Sequence, residues 1–142
     1  MSDGFRVRVA DWARDGHALR DVRHAVFIVE QDVPEWLEWD GIDGDCRHAI
    51  AEDSTGRAIG CARLLPDGHI GRVAVLAAHR GRGVGNALMR CMLALAAELG
   101  HRRVMVSAQT HALAFYERLG FAAVGEEYDD AGIPHRAMER SV

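Results

Sequence analysis

Apolar and polar positions along the chain change period several times, and each change marks an element. Over residues 5–10 they alternate, the period of a half-buried strand. After Asp15-Gly16 the period lengthens, and Leu19, Val22, Val26 and Val29 share one face of a helix that ends at Glu30 and Gln31. Residues 32–45 have no period. They carry Pro34, Trp36, Trp39, Gly41 and Gly44 and read as a long acidic loop, which either binds something or covers the core. Apolar runs over 47–52 and 58–65 flank Asp53-Ser54-Thr55-Gly56 as a hairpin, and Pro66-Asp67-Gly68 turns into a further strand ending at Val73-Ala74-Val75. Helical spacing returns over 83–99, with Val84, Ala87, Leu88 and Cys91 on one face and Gly100 as the stop. A strand over 103–108, a helix over 110–119 stopped by Gly120, and two strands over 121–128 and 135–140 complete the chain.

The order is strand, helix, three strands, helix, strand, helix, two strands. It predicts a mixed α/β sheet with a parallel, right-handed strand–helix–strand unit at its centre. Ligands of such sheets sit at the carboxyl ends of the strands, here Val75 and Ala108. No repeat or linker divides the chain, so a single domain over 1–142 is expected.

Composition narrows the function. With 142 residues and 49% apolar content the chain is long enough for a sizeable core. A net charge of −4 argues against a nucleic-acid or anionic-membrane binder. All 17 basic residues are arginine. Cys46, Cys61 and Cys91 have no paired spacing, which argues against a disulfide framework or zinc knuckle; Cys61 and Cys91 read as core thiols, and no metal site is expected. The N-terminus lacks an apolar signal core and no run reaches membrane-spanning length, so a soluble, cytoplasmic protein is expected.

The chemistry centres on Ile70 to Ala87, IGRVAVLAAHRGRGVGNA. A buried strand runs through Arg80-Gly81-Arg82-Gly83 into a helix, and the first amides of a helix have no intrahelical partner and carry positive potential. Glycines at 81, 83 and 85 let phosphates reach those amides, and Arg80 and Arg82 add charge. The dinucleotide spacing fails because Asn86 stands where its third glycine is needed. The nucleoside-triphosphate loop fails because the chain has no lysine.

What remains, Arg80-x-x-Gly83-x-Gly85, resembles the acyl-CoA pyrophosphate loop of the GNAT acetyltransferases. Gln109 to Phe121, QTHALAFYERLGF, resembles the second motif of that superfamily at Ala112, Tyr116, Gly120 and Phe121, with Gln109 in place of the usual asparagine. Phe27-x-x-Glu30-Gln31-x-x-Pro34, Asp40-x-x-Asp43, His48 and Gly132-Ile133-Pro134-His135-x-x-Met138 are similar to its ElaA-type branch.

The resemblance implies a mixed sheet splayed between the fourth and fifth strands, and transfer of an acetyl group from acetyl-CoA to an amine. It implies that the cofactor is held by Val73, Ala74, Val75, Arg80, Gly81, Arg82, Gly83, Val84, Gly85, Asn86 and Gln109. It makes Tyr116 the candidate acid for the leaving thiolate. The base that deprotonates the amine is open among Glu30, His135 and His48. The acidic loop, with Glu35, Glu38, Asp40, Asp43 and Asp45, suits either a cationic acceptor or plain solvated surface. A non-catalytic acyl-CoA-binding module and an enzyme using another acyl-CoA stay open as alternatives, as does the choice between monomer and homodimer.

Overall fold

The computed structural model describes residues 4–142; the first residues of the N-terminal stretch, 1–3, lie outside it. Seven strands form one sheet: β1 (Phe5–Ala10), β2 (Arg47–Asp53), β3 (Ala58–Leu64), β4 (His69–Val75), β5 (Arg103–Gln109), β6 (Ala122–Asp130) and β7 (Ile133–Ser141), in the order β1-β2-β3-β4-β5-β7-β6. Every neighbouring pair is antiparallel except β4 and β5. The helices are α1 (Trp12–Arg23), α2 (Glu35–Glu38), α3 (Val84–Glu98) and α4 (Leu113–Arg118). The mixed α/β architecture is the one expected.

Helices cover both faces of the central strands. Ala49, Ala51, Ile59 and Leu64 pack with Leu88, Met89 and Met92 of α3, whereas Ile50, Cys61 and Ala74 pack with Leu19, Val22 and Val26 on the α1 side. Burial on both faces explains why β2 and β3 read as apolar runs rather than alternating. Gly60 shows how closely α3 approaches. A Cβ there would stand 3.0 Å from Leu88 Cδ1 and 3.1 Å from the Ala74 carbonyl oxygen.

One pairing is incomplete. β4 and β5 pair only at His69–Met105 and Ile70–Val106, and then separate. The cause lies in β4 itself. Its register with β3 shifts between Cys61 and Arg63, and Arg72 adopts a left-handed φ of 50°, so the strand bulges and bends away from β5. The expected splay between the fourth and fifth strands is therefore present.

Several local expectations are corrected. The first helix begins at Trp12, not after Gly16, because Asp11 caps it through the Ala13 amide; Asp15 instead binds Arg8 with both oxygens at 2.9 Å. Beyond Arg23 the helix widens into a π-helix, His24–Glu30. The changed period turns Val29 out of the apolar face, leaving it 68% exposed. Cys91 is only half-buried. The six-residue connection expected between the last strands shrinks to Ala131 and Gly132, both left-handed (φ 54° and 79°), as a tight hairpin turn requires.

The acidic loop is neither plain surface nor an open cationic site. It contains α2 and a 3₁₀ turn, and it folds inward onto arginines. Arg23 Nε donates to Glu38 at 2.7 Å and its Nη1 to Asp43 at 2.6 Å; Arg63 binds Asp40 at 2.9 and 3.0 Å and Asp43 at 3.1 Å. Arg72 reaches the Leu37 and Glu38 carbonyls at 3.2 Å. Burial pushes the Asp43 carboxyl up, but Arg23 and Arg63 outweigh it and hold it below the usual range. Trp39 lies against Arg23, whose guanidinium is 5.0 Å from the ring centroid, while Trp36 faces solvent.

This network generates a stability prediction. Arg23 is 1% exposed, and replacing it removes the shorter cation contact of both Glu38 and Asp43, leaving each buried beside one arginine, Arg72 and Arg63 respectively, at 3.1 Å. Arg23→Met should cost about 3–5 kcal/mol in urea unfolding. A loss below about 1 kcal/mol would show that the loop does not depend on the network.

Candidate active site

Where β4 and β5 part, a cleft of about 950 Å³ opens. Its walls come from β4 with the loop that follows it, the end of β5, the end of the π-helix with α2, the start of α4, the β6–β7 turn, and Arg63 of β3. The splay brings together most of the residues singled out in the sequence. Val73, Ala74, Val75, Arg80, Gly85, Gln109, Tyr116, Glu30 and His135 all line this one cleft. Gly81, Arg82, Gly83, Val84 and Asn86 belong to the adjoining loop and first helical turn and do not line it. His48 lies elsewhere. It is 2% exposed, stacks on Trp12 at 4.7 Å and sits 2.9 Å from the Asp43 carbonyl, and burial lowers its pKa. It contributes to packing under the acidic loop and is removed as a base for this cleft.

The loop between β4 and α3 has the geometry its glycines suggested. Gly81 and Gly83 have φ of 78° and 84°, and open space surrounds both. Gly83 takes the N-cap position without a side-chain cap, so the first amides of α3 are not capped by this residue. At Gly85 a Cβ would be 3.5 Å from Phe115, which packs the helix start against α4. Val84 is 2% exposed and points into the core, so only its backbone belongs to the loop surface. The Asn86 side chain turns along the helix to accept from Arg90 at 2.8 Å.

Arg80 is not extended into the loop. Its Nη1 and Nη2 each stand 2.6 Å from a Glu30 oxygen, and its Nε donates to the Val75 carbonyl at 2.9 Å. Glu30 is correspondingly held below the usual carboxylate range by its hydrogen bonds to Arg80, which outweigh the opposing effect of burial. Gln109 donates to Gln31 at 2.9 Å and also meets His111 at 2.6 Å.

Tyr116 lines the cleft from α4, with its ring edge-on to Phe115 (5.0 Å) and Phe121 (5.8 Å). Its hydroxyl has no hydrogen-bond partner among the described residues, and burial pushes its pKa up to about 12. It is therefore protonated at neutral pH. His135 is 8% exposed and stacks near Tyr128. Its Nδ1 is 2.7 Å from the Ile133 carbonyl, which only accepts, so Nδ1 carries a proton, and in that tautomer Nε2 is the acceptor.

Sequence reading missed three features of the cleft. Arg72 enters it through the β4 bulge, which no residue type announces. Ser107 and Tyr128 join their hydroxyls across β7. The Gln31–Gln109 bridge was foreshadowed only by the presence of Gln31 beside Glu30.

The family model described as an acetyltransferase (GNAT) domain matches residues 17–142. Protein ElaA of Escherichia coli is 37% identical over 134 residues, covering 89% of this chain and 87% of that protein. The crystal structure of Escherichia coli ElaA superimposes with a TM-score of 0.81, covering 95% and 99% of the two chains at 32% identity. An acyl-CoA N-acyltransferase from Pseudomonas aeruginosa gives a TM-score of 0.85 at 37% identity, covering 96% and 99%. The chain belongs to the GNAT acetyltransferases, and within them to the ElaA-type branch. The fold is thus that of an acyl-CoA N-acyltransferase.

Proposed function

We propose that the chain transfers an acetyl group from acetyl-CoA to a primary amine by direct attack. The observation that carries this reading is the stretch of β4 beyond Ile70, which lacks a β5 partner and ends in a loop of left-handed glycines. Backbone groups of Val73 and Val75 are offered to the pantetheine arm, with Ala74 between them. The amides from Gly81 through Asn86, with Arg80 and Arg82, hold the pyrophosphate. Gln109 borders the same donor groove. The amine nitrogen attacks the thioester carbonyl, and the carbon–sulfur bond breaks. Tyr116, protonated at neutral pH, gives its proton to the leaving thiolate. His135 Nε2 takes the proton that the amine sheds, directly or through water. Glu30 is less suited to that task while Arg80 occupies both its oxygens.

Four outcomes are expected. An amine panel with acetyl-CoA should release thiol for at least one acceptor; stoichiometric binding without release for any amine would favour a non-catalytic module. Tyr116→Phe should lower turnover by on the order of 10²–10⁴ while leaving acetyl-CoA affinity and melting temperature nearly unchanged, since the hydroxyl supports no bond in the fold; a fully active Phe variant would assign thiolate protonation to water. Gly83→Asp should abolish acetyl-CoA binding by calorimetry, because its carboxylate enters phosphate space; retained affinity would remove the loop from the site. His135→Gln should reduce kcat and shift the acid limb of the pH–rate profile. An unchanged rate and profile would exclude His135 as the base.

A further inference from the structure

Arg80 is read above as a ligand of the donor and Glu30 as a candidate base on the acceptor side, yet in the structure they hold each other. Nη1 and Nη2 of Arg80 are bound to the two Glu30 oxygens, and Nε to the Val75 carbonyl, so every nitrogen of the guanidinium is engaged. The neighbouring Gln31 accepts from Gln109. Two successive residues at the end of the π-helix thus tie across to the two strands that part. Glu30 meets the loop after β4, and Gln31 meets the end of β5. π-helical turns of this kind are frequent at functional sites.

The Arg80–Glu30 pair is weak enough to be exchanged. Its side chains are 42% and 43% exposed, and exposed ion pairs contribute little net stability. A pyrophosphate is a stronger bidentate partner for a guanidinium than one solvated carboxylate. The planar fork presents that edge to one such partner at a time.

We propose that Arg80 couples the two substrate sites: the pyrophosphate of the acyl-CoA takes the guanidinium from Glu30, and the carboxylate so released receives the ammonium group of a cationic acceptor. This rests on the reading of Arg80 as a phosphate ligand. Before the donor binds, Arg80 neutralises Glu30. After the exchange, the wall of the cleft at the end of the π-helix carries an unpaired carboxylate, in the same cleft as His135. Rupture of the Nε bond also returns the Val75 carbonyl to the splayed face of β4, where the pantetheine arm is placed. Linkage makes the coupling reciprocal, so an ammonium on Glu30 strengthens donor binding.

Calorimetry with CoA on wild type, Glu30→Gln, Arg80→Gln and the double variant tests the exchange. Glu30→Gln should tighten CoA binding roughly two- to fivefold, since the competitor for Arg80 is gone. Arg80→Gln should weaken binding about tenfold. Glu30→Gln should then have no effect in the Arg80→Gln background, nor on binding of pantetheine, which lacks the pyrophosphate. Unchanged or weaker CoA binding by Glu30→Gln, with the Arg80→Gln loss intact, overturns the exchange and spares the phosphate role; no loss on Arg80→Gln overturns the phosphate role itself. For the acceptor half, n-butylammonium chloride is titrated against the Glu30 carboxyl resonance by carbon NMR. A response only with CoA bound is expected. An equal response in both states, or none in either, overturns it.

Discussion

The structure depends on the bulge in β4. A parallel pair at the centre of a sheet would ordinarily satisfy its backbone along its full length, and β4 and β5 do so for two residue pairs only. Arg72 at a positive φ bends the strand, and everything downstream follows from that bend. The gap becomes the cleft, the edge of β4 beyond Ile70 is left without a β5 partner, and the loop from Leu76 to Gly83 is carried to its rim. Neighbouring strands compensate. β5 is fully paired with β7 on its other side, and β2 and β3 are covered on both faces. The sheet therefore tolerates a defect at its middle that an isolated strand pair could not.

Two sets of arginine–carboxylate pairs serve different ends. Arg23, Arg63 and Arg72 meet Glu38, Asp40 and Asp43 in a largely buried network that clamps the α1–α2 side of the cleft against β3 and β4. Buried charges left without partners are costly, so this wall is held in one arrangement. Arg80 and Glu30 form a single pair near solvent, where rearrangement costs little. A buried, branched network beside a single half-exposed pair is an arrangement that lysine, without the planar fork, would serve poorly.

The elements that rest on local pattern were legible in the sequence: the strands, α3 with its glycine loop, and α4 with Tyr116 on a predicted apolar face. Their long-range pairings were not. The acidic residues of 32–45 read as either a cationic-acceptor site or solvated surface because their partners, Arg23 and Arg63, are 15 to 23 positions away in sequence and nothing in the spacing links them. The π-helical widening was equally hidden, since Val26 and Val29 keep an α-helical spacing while the backbone does not. The glycine loop was readable because φ above zero is written in residue type; the β4 bulge was unreadable because arginine gives no such sign.

The polar atoms of the cleft sort themselves by whether they are already spoken for. Glu30 is bound to Arg80, Gln31 and His111 to Gln109, and Ser107 to Tyr128. Nδ1 of His135 is bound to Ile133. The Tyr116 hydroxyl, a donor, and the His135 Nε2, an acceptor, make no hydrogen bond among the described residues, and both residues line the cleft. Direct acyl transfer to an amine needs one proton delivered to sulfur and one removed from nitrogen. The proposed roles assign the unpaired donor to the first transfer and the unpaired acceptor to the second. They come from different elements, α4 and β7, so the two proton movements need not share a residue.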